Sequence, residues 1–289
     1  MIETPLTHAR DFVLRNARLL ERRAFASHFD NGSSSQVLVA LTACQNPDGG
    51  FGAALEPDKR DPGSQPVDVQ FAFELLDAVG NFDVTIVGRA CDWLETVSTA
   101  EGGVPFSLPS LNAFPHAPWW TAEAHPSANL NPTAAIVAQL FKYNVNHSWR
   151  PRAEAFCWAA LERSKSTEFH ELMPTLAFLK HVPDRQRAEG AMEMLLALIA
   201  SPGIVELDPA KAGYVKMPLD WAPFPDSPCR RLFPNKVIAE HLSALAARQQ
   251  SDGGWPISWD ALSPGVALEW RGVQTVQALR TLRAYGALS

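Results

Sequence analysis

Four short stretches of this 289-residue chain gather side chains whose types can do chemistry. Glu56, Asp58, Lys59, Arg60 and Asp61 crowd a segment punctuated by Pro57 and Pro62. Carboxylates so spaced can donate a proton or hold a metal ion, and a solvated charged turn is the other reading. His116, Trp119 and Trp120 form the second stretch. Exposing adjacent Trp residues is costly, so they either plug the end of the structure or line an apolar cavity. Aromatic faces there suit isoprenoid chains, sugars or carbocations. Asp220, Trp221, Asp226, Arg230 and Arg231 lie in a proline-dense loop. The arginine pair can grip a diphosphate in bidentate fashion, or pair with the two aspartates. Glu269, Trp270 and Arg271 stand at the expected start of the last helix. Glu269 there is either a capping carboxylate or, on an inner helix, an acid or base aimed at a cavity mouth.

Read for function, Glu56, Asp58, His116, Asp220, Asp226 and Glu269 are the candidate acids and bases. Trp119, Trp120, Trp221, Arg230, Arg231, Trp270 and Arg271 are the candidate substrate contacts. No cofactor is specified. The carboxylates are compatible with magnesium, whereas zinc would need Cys229 beside His116 or Asp226 and is disfavoured. His125, His170 and His181 stand singly and read as structural.

The elements that must position these residues are helical. Apolar residues recur with a period near 3.6 over about 5–29, 33–44, 66–80, 84–98, 131–145, 148–164, 168–181, 184–200, 235–249 and 271–285, and no useful length alternates with period two. Connections at 30–32, 81–83, 146–147 and 182–183 are short, as in antiparallel helix hairpins. Those at 46–65, 99–130, 201–234 and 250–270 are long, and all four chemical stretches lie in or beside them. Strict up-and-down alternation asks for one more short helix, placed between Asp208 and Val215. The long connections also repeat a motif: Gln45-Asn46-Pro47-Asp48-Gly49-Gly50-Phe51, Gln249-Gln250-Ser251-Asp252-Gly253-Gly254-Trp255, and a weaker copy at Glu101-Gly102-Gly103-Val104. Each sets glycines just past a helix, where a left-handed residue must turn the chain, and the glutamines are placed to bond loose helix-end carbonyls. Repeats of one unit mean stacked helix hairpins, and loops this long favour a closed ring.

The Gln-x-x-Asp-Gly-Gly-Phe/Trp repeat resembles that of squalene–hopene cyclases and of the catalytic subunits of protein prenyltransferases. Leu55-Glu56-Pro57-Asp58, His116-Ala117-Pro118-Trp119-Trp120, Pro218-Leu219-Asp220-Trp221-Ala222-Pro223 and Leu268-Glu269-Trp270-Arg271-Gly272 look like segments of bacterial single-domain prenyltransferase-like proteins. The resemblance implies an all-α, α/α-toroid fold of ten to twelve helices and an isoprenoid substrate. Three family chemistries do not transfer by motif. The Asp-x-Asp-Asp acid that protonates an alkene in class II terpene cyclases, the Asp-Asp-x-x-Asp magnesium motif and the Asp-x-Cys zinc pair are all missing from the sequence.

Composition bounds the rest. With 46% hydrophobic residues the chain can bury a core, and 25 Lys and Arg against 31 Asp and Glu, with no basic cluster, speak against nucleic acid or an anionic membrane as partner. Cys44, Cys91, Cys157 and Cys229 are too scattered for a disulfide framework and fit a reducing cytoplasm. Met1–Pro5 lacks the apolar stretch of a secretion signal, and Met192–Ala200 is too short for a transmembrane segment. The expectation is a single cytoplasmic domain over 1–289, with no signal for oligomeric state. Its leading function is an enzyme that cyclises or transfers an isoprenoid diphosphate in an apolar cavity. A polysaccharide hydrolase or lyase with paired carboxylates and Trp platforms, and a non-catalytic lipid- or partner-binding toroid, are the alternatives.

Overall fold

Local chemistry sets where the helices begin. In the computed structural model, which describes residues 4–288, Thr4 Oγ1 accepts the Thr7 N–H, Asp83 accepts those of Thr85 and Ile86, and Ser263 accepts that of Val266. Each satisfies donors that a first helical turn leaves open. Pro5, Pro66, Pro218 and Pro264 occupy first positions, where a missing N–H costs nothing. Twelve α helices result among the described residues: α1 (Pro5–Asn16), α2 (Leu19–Phe29), α3 (Ser34–Thr42), α4 (Pro66–Ala78), α5 (Val84–Val97), α6 (Leu130–Lys142), α7 (Trp149–Arg163), α8 (Phe169–His181), α9 (Arg185–Ile199), α10 (Pro218–Trp221), α11 (Asn235–Ala247) and α12 (Pro264–Ala284). Isolated β-bridges are the only extended pairings there, so the all-α expectation holds. None of these helices is long and apolar enough to cross a membrane. Met1–Glu3, part of the segment read for a secretion signal, lie outside the described residues.

Three boundaries differ from the sequence reading. The first helix is two, because Ala17 and Arg18 are extended. At this elbow α12 comes so near that a Cβ on Gly272 would lie 2.7 Å from the Ala17 Cβ, and Arg22 Nε bonds the Ala17 carbonyl at 2.8 Å. The extra short helix is α10, at Pro218–Trp221, and not at Asp208–Val215, which is irregular. The last helix starts at Pro264, seven residues early, because Ser263 and Pro264 form a better start than any later pair.

The chain divides into two compact units. One comprises residues 4–37 and 196–288, in which α12 packs on α1, α2 and α11 around Phe12, Phe25, Trp221, Trp255 and Leu279. The other comprises residues 38–195, in which α6 is the buried centre, packed by α4, α7 and α8 around Phe73, Ile136, Leu140, Trp149 and Phe178.

The glycine turns position the loops. Gly49, Gly102 and Gly253 have φ of +96°, +97° and +94°. A Cβ on each would sit 2.3, 2.6 and 2.1 Å from the carbonyl oxygens of Arg89 on α5, Arg152 on α7 and His8 on α1. Only glycine permits both the conformation and the approach. The glutamines do not serve their own helix ends, as the sequence reading expected. Gln45 Nε2 bonds the Gly49 and Ile86 carbonyls, and Gln249 Nε2 those of Gly253 and Pro5, so each staples its turn to the first turn of a neighbouring helix. In the weak copy Ser98 replaces glutamine, and Trp149 Nε1 supplies the bond to the Gly102 carbonyl at 3.0 Å.

Candidate active site

After the Gly49–Gly50 turn the chain passes through Ala53 and Ala54, both with left-handed φ (55° and 59°), and turns inward. Charged residues follow, yet Glu56, Asp58, Lys59 and Asp61 are each 2% exposed or less. This is not a solvated turn. Asp68, in the first turn of α4 and itself fully buried, organises it. One carboxylate oxygen accepts the Glu56 N–H at 2.9 Å, and the other is ion-paired with Lys59 Nζ. Asp61 accepts from Gln65 Nε2 at 2.6 Å and Ser110 Oγ at 2.8 Å, and Gln65 Oε1 accepts the Leu108 N–H.

The second sequence group meets the first here. Ala117 N–H donates to the Asp58 carbonyl at 2.8 Å, Arg60 N–H donates to Pro115 at 2.9 Å, and Lys59 bridges His116. His116 is half-buried, with Nδ1 3.0 Å from the Ala117 carbonyl. The two tryptophans separate in role: Trp119 is 49% exposed, while Trp120 is buried and stacks on Phe106 with centroids 4.6 Å apart. Trp120, Ala117, Leu111 and Val67 form an apolar cluster, flanked by Phe71 and Phe106. Val67 adjoins Asp68, so this aromatic wall begins where the charged segment ends.

The electrostatics single out Glu56. Burial holds its carboxyl well above the usual range, Lys59 opposes that, and Asp58 and Asp68 reinforce it. Asp68 is also raised by burial, against the pull of Lys59. Lys59 is ion-paired with Asp68, so Glu56 has no such partner of its own. Its Oε2 is buried and accepts no hydrogen bond. The arrangement is a buried carboxyl with a raised pKa close to the Lys59–Asp68 ion pair.

The third and fourth groups belong to the other unit. Asp220 is the third residue of α10, and its Oδ2 accepts the Met217 N–H at 2.7 Å. Asp226 and Arg231 are exposed, and Trp221 is buried. Arg230 donates to the Phe233 carbonyl and Asn235, within its own loop. Burial pushes the Cys229 thiol up to about 12, keeping it protonated. Glu269 lies inside α12 and not at its start, so it is no capping residue. Arg271 grips both oxygens of Asp252 at 2.8 and 2.6 Å, bonds the Trp255 carbonyl and covers the Phe12 ring, bracing the glycine turn. Trp270 is buried, edge-on to Trp259. Among the described residues, no three His, Cys, Asp or Glu side chains gather as they would around a metal ion.

Sequence reasoning missed Asp68 as a site residue. Its only signal was an acidic residue two past Pro66, which any helix start can carry.

No family model matches the chain, and no curated protein matches it. Solved structures that resemble it include two of similar length. A protein from Actinoplanes is 15% identical with a TM-score of 0.57, over 96% of this chain and 98% of the other. A type II terpene cyclase from Scytonema, without ligand, is 16% identical with a TM-score of 0.52, over 96% of this chain and 86% of the other. The likeness is one of fold, and it agrees with the α/α-toroid class expected from the repeats.

Proposed function

We propose that this protein is an isoprenoid cyclase that begins its reaction by protonating a carbon–carbon double bond, with Glu56 as the acid. One observation carries the reading: a glutamic acid 2% exposed, its carboxyl raised by burial, with Oε2 accepting no hydrogen bond. A carboxyl in that state can give its proton to a substrate as weakly basic as an alkene only where water does not compete for it. The likeness in fold to a type II terpene cyclase supports the reaction class, with Glu56 standing in for the missing Asp-x-Asp-Asp acid.

The step balances simply. The Oε2 proton bonds to one alkene carbon, the π electrons form that C–H bond, and the other carbon becomes a cation. The Glu56 carboxylate left behind is stabilised by the nearby Lys59 ammonium and the Asp58 N–H. Phe106 and Trp120 supply π faces for the migrating cation. No diphosphate need be ionised in this step.

The test is turnover of squalene and of geranylgeranyl diphosphate in D2O, followed by mass spectrometry. The expected result is a cyclised product with one new carbon-bound deuterium from initiation, and a loss of about 10²–10⁴-fold in rate for Glu56→Gln. Products without deuterium, or full turnover by Glu56→Gln, would refute the assignment.

A further inference from the structure

Asp68 is the third residue of α4, close to a helix N-terminus, where open N–H groups favour a negative charge. Its side chain is fully buried and both oxygens are engaged. One accepts the Glu56 N–H at 2.9 Å, and the other is ion-paired with Lys59, itself fully buried. The Glu56 backbone and the Lys59 ammonium, 12 and 9 positions away in the chain, are thus tied to one residue.

Two carboxyls compete here for one ammonium. Lys59 acts on the Glu56 carboxyl as well as on that of Asp68, favouring the ionised form of each. Asp68 has the advantage. It adds a backbone N–H and a helix N-terminus to the ammonium, whereas Glu56 has the Asp58 N–H and an Oε2 that is buried and accepts no hydrogen bond. Ionising Glu56 as well would set two buried negative charges beside one positive charge, with Asp58 repelling it further. Of the other neighbours, Asp61 accepts from Gln65 and Ser110, and His116 has its Nδ1 at the Ala117 carbonyl. Arg60 is half-buried and bonds Pro115 through its backbone N–H.

We propose that Asp68 is a positioning residue for the Glu56 acid: it seats the Glu56 backbone and holds the Lys59 ammonium away from the Glu56 carboxyl. Its part in catalysis rests on the acid-initiated reading above. Without the Asp68 charge, Lys59 turns to Glu56 Oε2, that carboxyl ionises, and the acid loses its proton before any substrate arrives. Removing both charges instead leaves Glu56 with neither the ammonium nor the competing carboxylate, and burial, the largest influence on it, keeps the proton in place.

A carbon-13 NMR titration of the glutamate carboxyls, with Glu56→Gln to assign the signal, tests this without substrate. In wild-type protein the Glu56 signal should titrate above the ordinary 4.5. Asp68→Asn, which keeps an oxygen for the Glu56 N–H, should lower that midpoint by about 1–3 pH units, and adding Lys59→Met should raise it again. A wild-type midpoint at or below 4.5 overturns the proposal whether or not any variant folds. So does an unchanged midpoint in Asp68→Asn, or a lowered one that Lys59→Met does not reverse, since a loosened fold is not cured by deleting a second buried group. Where a polyprenyl substrate turns over, kcat at fixed pH should fall about tenfold for each unit that the midpoint drops below that pH, with KM little changed, and recover in the double variant. If no polyprenyl substrate is consumed, the initiating reading has failed, and the titration still decides what Asp68 does to Lys59 and Glu56.

Discussion

Replacing Gly253 with alanine isolates what the repeated glycine turn does. Gly253 has φ +94°, and an added Cβ would lie 2.1 Å from the His8 carbonyl oxygen and 2.5 Å from its carbon. Both are backbone atoms of α1, so no rotamer change relieves the contact. Gly213 has nearly the same φ, +96°, in the same unit, with nothing within 4 Å of its Cβ position. The conformational cost of alanine at such a φ, about 1–3 kcal/mol, is common to both sites. Only Gly253→Ala must also push α1 aside, which adds about 1–3 kcal/mol. At about 2–4 °C per kcal/mol for a chain of this size class, Gly253→Ala should melt about 2–12 °C below Gly213→Ala. Differential scanning calorimetry at neutral pH measures the gap. Equal melting temperatures for the two variants would mean that the turn does not seat against α1 as described, and the staple argument would fall with it.

Two further outcomes follow from the buried charges. Glu56 has its folded-state carboxyl raised above the ordinary 4.5, so its contribution is most favourable below that pH and is lost as pH rises towards the folded value. Glu56→Gln should therefore gain stability relative to wild type between pH 4.5 and 8 in urea unfolding; a gap independent of pH would show that the carboxyl is not raised. Breaking the fully buried Lys59–Asp68 pair with Lys59→Met should cost about 3–5 kcal/mol by leaving Asp68 without its cation, and Lys59→Met with Asp68→Leu should recover part of it. Additive losses in that double-mutant cycle, read from denaturant midpoints, would show that the two side chains do not act as a pair.

The helices and the glycine turns were readable from the chain alone, because both are decided within a few residues. A proline, a hydroxyl and an apolar period of 3.6 place a helix start whatever surrounds it, and Gly49 and Gly253 announce a left-handed turn by having no side chain. Where neighbours distant in sequence decide, that reading failed. The break at Ala17 goes with Gly272 approaching from α12, and the missing glutamine of the weak repeat is replaced by Trp149, 51 positions after Ser98. Arg271 reads in the sequence as a substrate contact, and in the structure it binds both oxygens of Asp252. The candidate site shows the same division. Its residue types were visible in Glu56, Asp58, His116 and Trp120, but a carboxylate and a carboxylic acid are spelled with the same letter. Which one Glu56 is depends on how much water is excluded from it and on whether the single nearby ammonium is already paired. Those are properties of the packing between 55–68 and 115–120, so only the tertiary structure decided that Asp68 takes Lys59 and that burial raises the Glu56 carboxyl.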